Sequence, residues 1–96
     1  MPGIRIIARA LARAGKEAQL RNTLAAMLEP TRAEQGCKLY ELYESNNIGL
    51  FYFYEEWENQ DVLERHTTAL HYQQLMQNLP DLLEGAFEVN ILASLG

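Results

Sequence analysis

The chain has 96 residues, of which 48% are hydrophobic and 22% charged, a balance that supports one packed core over residues 1–96 and leaves no room for a second domain. Its formal net charge of −5 argues against nucleic acid as the main partner, because phosphate binding depends on a basic field. No apolar run approaches the roughly 18–20 residues of a membrane span, and Met1-Pro2-Gly3-Ile4-Arg5 lacks the pattern of a signal segment, so a cytoplasmic protein is expected.

Ile4 to Ala12 alternates Ile4, Ile6, Ala8 and Ala10 with Arg5, Ile7, Arg9 and Leu11, which predicts a strand with one wholly apolar face. After Gly15, Leu20, Leu24, Met27 or Leu28, and Thr31 recur at helical spacing, predicting an amphipathic helix from Lys16 to about Glu34. Pro30 removes one backbone donor inside it, so a kink or loosened last turn is expected there, and Gly36 supplies the stop. Cys37 to Glu44 reads as a second strand, and Ser45-Asn46-Asn47-Ile48-Gly49 as a hairpin turn. The returning strand, Leu50 to Trp57, is apolar or aromatic on both parities until its glutamates begin, so cover on both faces is expected. Asn59 or Asp61 can cap the next helix, whose apolar stripe is Val62, Leu63, His66 and Leu70. The phase shifts near Ala69 to His71, predicting two helical pieces before Pro80, and Phe87 to Ser94 alternates as a last strand.

The order is β-α-β-β-α-β, the split βαβ arrangement of an α+β, ferredoxin-like antiparallel sheet with its helices on one face. Whichever parity of Phe51-Tyr52-Phe53-Tyr54 faces the helices, two aromatics remain on the other side, which predicts a homodimer packed sheet to sheet. Charge is also divided. Residues 1–38 hold seven basic side chains against Glu17, Glu29 and Glu34, whereas residues 39–96 hold only Arg65 against ten acids. Arg5, Arg9 and Arg13 are therefore expected near Glu41, Glu55, Glu56 or Glu88.

Several short motifs carry a resemblance. Glu34-Gln35-Gly36-Cys37 followed by Tyr40, then Glu55-Glu56-Trp57, Leu63 to His66, and Leu70-His71-Tyr72 resemble, in order and spacing, the antibiotic biosynthesis monooxygenase domain family, which includes small quinol monooxygenases. The resemblance implies a dimeric α+β barrel with a ligand cavity in each subunit between sheet and helices, and often no metal or prosthetic group. Three branches follow from it. A cofactor-independent oxygenation of a quinol or polyphenol needs a base, a dry aromatic slot and molecular oxygen, because the substrate ring supplies the electrons. An isomerase acting on a phosphorylated signal would need a basic clamp, for which the second half offers only Arg65. A haem-degrading branch resembles an Asn, Trp and His set, and the first strand contains no Asn. A dimeric small-molecule binder without chemistry is the alternative from outside enzymology.

Candidate residues follow from side-chain chemistry. His66 is the first candidate catalytic group, since imidazole exchanges protons near neutral pH and its helical phase turns it inward. Glu55 ends an aromatic row and either partners His66 in acid–base work or bridges to Arg9 across the strands. Trp57, Phe53, Tyr40 and His71 are expected to contact the substrate. Cys37 is the one cysteine; it excludes an internal disulfide and, with only His66 and His71 beside it, gives no dedicated zinc set, so no metal and no cofactor are expected. No glycine-rich phosphate loop or nucleophile elbow is present.

Overall fold

Small and branched side chains alternating with arginines make β1 (Ile4–Leu11), which buries Ile6, Ala8 and Ala10 on one face. The computed structural model describes residues 3–96. In chain order it continues through α1 (Glu17–Ala25), α2 (Leu28–Arg32), β2 (Cys37–Glu44), β3 (Leu50–Trp57), α3 (Gln60–Thr68) and α4 (Leu70–Asn78), then a single 3₁₀ turn (Leu79–Asp81) and β4 (Glu88–Leu92). The four strands form one sheet in the order β2-β3-β1-β4, with each neighbouring pair antiparallel. This is the ferredoxin-like α+β topology that the sequence predicts. Among the described residues no helix is long and apolar enough to cross a membrane.

The predicted first helix is divided. Its break falls at Ala26 and Met27, one turn ahead of Pro30, which itself lies inside α2. Pro30 has no N–H to give the Ala26 carbonyl, and its ring crowds that carbonyl, so the loosening appears four residues upstream. Met27 instead donates to Leu24 O at 3.0 Å, the tighter i→i−3 spacing.

Gly36 ends the corner with φ +87, a left-handed conformation that side chains resist. It is also pressed against α3: a Cβ there would lie 2.6 Å from Val62 Cγ1. Glu58 N–H donates to Gly36 O at 2.9 Å, so the α2–β2 corner is tied to the start of α3 by packing and by a backbone bond. Asn59, one of the two predicted caps, accepts from Val62 N–H through Oδ1 at 3.0 Å.

The second helical region divides at Ala69, whose extended ψ of 149 resets the phase. Val62, Leu63 and His66 are buried as predicted, but Leu70 is 72% exposed because it falls beyond the reset. The stripe therefore ends at His66.

Strand parity limits one further expectation and corrects another. Phe51, Phe53, Glu55 and Trp57 of β3 are buried beneath the helices, whereas Leu50, Tyr52, Tyr54 and Glu56 are half-buried on the outer face, so one chain covers only one side of the strand. Arg9 aligns with Tyr52 and Glu88 on that outer face, across the sheet from Glu55, so no Arg9–Glu55 bridge can form. Arg5 does align with Glu56, and Arg13 donates to the carbonyls of Leu83 and Pro80 at 2.8 and 3.0 Å. β4 pairs with β1 but is exposed along its whole length.

Candidate active site

Helix α3, helix α4 and the helix-facing side of the sheet enclose a cavity of about 40 Å³, space for a few water molecules. Its polar wall is Tyr40 from β2, Glu55 from β3, and His66 and Thr67 from α3. Its apolar wall is Ile6, Leu63, Leu75 and the rings of Tyr72 and Phe87, with Val89 of β4 at the edge. Three of the residues singled out from sequence thus meet at one cavity: Tyr40, Glu55 and His66.

The other three support it from behind or lie elsewhere. Trp57 is fully buried, with its ring centroid 4.5 Å from that of His66. Phe53 stacks on Tyr40 at 4.8 Å. His71 does not line the cavity; it faces a surface depression shared with Thr23, Met27 and Gln74.

Glu55 is 6% exposed, and its partner is neither of those expected: Trp57 Nε1–H donates to its Oε1 at 2.9 Å. Burial raises the Glu55 pKa to about 7, opposed by the indole bond and reinforced by the charge of Glu34. A carboxyl at that value can both take and give a proton near neutrality.

His66 is 3% exposed, and burial lowers its pKa, partly offset by a hydrogen bond to Glu34. It is therefore a neutral imidazole at pH 7, able to accept a proton. Nδ1 lies 2.7 Å from Glu34 Oε2, and the ring itself lines the cavity. Burial also pushes the Tyr40 and Tyr72 phenols up, with the charge of Glu55 adding to the effect in both, so both remain protonated donors. The Cys37 thiol is raised to about 11, mainly by burial, which makes it inert as a nucleophile at neutral pH.

Glu34 was missed as a site residue. Its Oε2 lies 2.7 Å from His66 Nδ1 and 2.6 Å from His71 Nε2, although 32 and 37 residues separate them in the chain. The available signal was its place in the Glu-Gln-Gly-Cys corner, which carried the resemblance but was read without a role. The three groups form a cluster whose candidate ligand atoms all lie within 4.8 Å, a grouping that the sequence reading, counting histidines with Cys37, did not foresee. Both N···O separations are those of charge-assisted N–H···O bonds, and a cation could enter only by displacing both protons.

A ferredoxin-like sheet thus brings a buried carboxyl, a buried imidazole and aromatic walls together around one cavity. Residues 3–78 match the antibiotic biosynthesis monooxygenase family, and the chain belongs to it. It is 36% identical over 92 residues to Rv0793 of Mycobacterium tuberculosis, which carries a provisional monooxygenase name, covering 96% of this chain and 91% of that protein. The solved structure of Rv0793 superposes with a TM-score of 0.92 at 35% identity, covering 98% of this chain and 96% of that one. The crystal structure of PA3566 from Pseudomonas aeruginosa gives 0.93 at 30% identity, covering 100% and 97%. A monooxygenase-type activity is thus the broad class to which the family points.

Proposed function

We propose that the protein is a cofactor-independent monooxygenase acting on a quinol or polyphenolic ring, working as a homodimer in the cytoplasm. The observation that carries this reading is the meeting of two proton-accepting groups, Glu55 and His66, at one cavity walled by aromatic rings. A phenol entering there would lose its proton to His66, and the phenolate would pass one electron to molecular oxygen. Recombination at a ring carbon gives a hydroperoxide, and loss of water leaves the hydroxylated quinone. The ring thus supplies the electrons, one oxygen atom stays on carbon and the other leaves as water. The protein supplies the base, the orientation and the exclusion of solvent.

At about 40 Å³ the cavity is closed against a ring, since ligand pockets usually run to roughly 300 Å³ or more. Entry must occur by opening its rim, where Phe87 and Val89 lie just before and within the exposed strand β4. Among the described residues no lysine or arginine lines the cavity, which argues against a phosphorylated substrate and hence against the isomerase branch. The half-buried tyrosines on the outer face support a second copy as the partner of that face.

Oxygen uptake with a panel of substituted benzohydroquinones tests the reading. One oxygen consumed per hydroxyquinone formed, by a species of twice the chain mass in light scattering, is expected. Quinone-dependent rises in melting temperature without oxygen uptake would establish a binder instead.

A further inference from the structure

We propose that Glu34 is a positioning residue, which fixes His66 as its Nδ1–H tautomer and thereby presents Nε2 to the cavity as the proton acceptor. The inference rests on the acid–base reading of His66 given above. Its basis is geometric. One carboxylate oxygen sits 2.7 Å from His66 Nδ1 and 2.6 Å from His71 Nε2, and a carboxylate can only accept, so both nitrogens must carry their protons toward it. For neutral His66 this leaves Nε2 as the bare nitrogen, on a ring that lines the cavity.

The surroundings leave the ring little freedom to do otherwise. Trp57 lies against it at 4.5 Å between centroids, and Tyr72 meets it edge-on at 5.0 Å. Glu34 is held as firmly. Its corner is pinned to α3 by Gly36 packed on Val62, one helical turn before His66, and by the Glu58 to Gly36 backbone bond. His71 grips the same oxygen from the more exposed side, with 23% of its side chain accessible against 3% for His66. It acts as an anchor for the carboxylate and stays outside the cavity.

The arrangement favours the reaction in a second way. When Nε2 takes a proton, the imidazolium already faces an anion at hydrogen-bond distance, so charge develops beside its counter-charge without rearrangement. A glutamine could still accept from Nδ1–H, but it could not neutralise the cation, and its amide could equally donate and reverse the tautomer.

Long-range proton–nitrogen NMR correlation of the imidazole rings in the substrate-free protein reads the tautomer directly. His66 should show a protonated Nδ1 and a bare Nε2, and Glu34→Gln should lose that preference. In oxygen uptake with benzohydroquinones, Glu34→Gln should lower kcat by roughly 10²-fold or more with KM near wild type, the behaviour of a lost orienting carboxylate. Glu34→Asp, should Glu34→Gln prove unstable, should retain the tautomer and part of the rate. A wild-type His66 protonated on Nε2 would overturn the proposal. So would stoichiometric, chelator-removable Zn²⁺ in the purified protein with both imidazoles as its ligands, since a cation on Nδ1 takes the proton's place. Loss of turnover in His66→Gln but not in Glu34→Gln would defeat the positioning role alone, whereas intact turnover in both would defeat the acid–base reading beneath it.

Discussion

The two faces of strand β3 are built from the same eight residues and do opposite things. Phe51, Phe53, Glu55 and Trp57 are sealed beneath the helices, where an aromatic row ends in a carboxyl. Leu50, Tyr52, Tyr54 and Glu56 occupy the alternate positions, half-open, in register with Leu11, Arg9, Ile7 and Arg5 of β1. Burial sets the first face apart, because desolvation, reinforced by the charge of Glu34, moves the Glu55 carboxyl toward neutrality. Amphipathic tyrosines let the second face meet either water or a partner. Strand periodicity thus separates a buried, cavity-facing surface from a half-open tyrosine face within a single segment.

Truncation should break this contrast most visibly. Trp57→Ala removes a fully buried ring that packs on His66 and donates to Glu55, and is expected to cost about 3–5 kcal/mol. Tyr52→Ala, on the same strand with the opposite parity, should change the stability of the chain itself by less than about 1 kcal/mol. On the proposed homodimer, its effect should appear in the concentration dependence of stability. Chemical denaturation of each variant across a range of protein concentrations measures both.

Glu55→Gln sharpens the same comparison through pH. A carboxyl raised to about 7 in the folded chain, against an ordinary 4.5, keeps its proton on folding, so its contribution is most favourable below pH 4.5. Stability should therefore decline as pH rises from 4.5 to 7 and level off above, a loss of roughly 3 kcal/mol that Glu55→Gln should not show. The difference between the two denaturation profiles isolates the group. Parallel profiles would mean that Glu55 does not titrate in the cavity.

Leu70→Ser should have the smallest effect. Leu70 is 72% exposed, and its loss should shift stability by no more than about 0.5 kcal/mol. A large loss would mean that another chain covers it.

Most of the frame was legible in the sequence because period-2 and period-3.6 patterns report directly which face an element buries. Strands β2 and β3 lie at their predicted limits, and the break between α3 and α4 lies where the phase shifts. The consequences of backbone geometry were harder to see. Pro30 acts on the carbonyl four residues upstream, and the extended backbone at Ala69 turns Leu70 outward, so in both places a pattern carried straight on misleads. The site was legible wherever one element's periodicity was enough: the inward turn of His66 and the parity of Glu55. It was not legible where it depends on contacts between elements. The links from Glu34 to His66 and to His71 span an α2–β2 corner and two helices, and nothing local in the chain encodes them.

The central claim is that the cavity uses His66 as a proton acceptor, and turnover with melting temperature measured together on His66→Gln test it most directly. In oxygen uptake with benzohydroquinones the variant should lose roughly 10²–10⁴ in turnover, the scale of a positioned acid–base group, while its melting curve and its mass in light scattering stay near wild type. Wild-type turnover per folded molecule, with a lowered melting temperature, would contradict the account and leave His66 as a packed core residue.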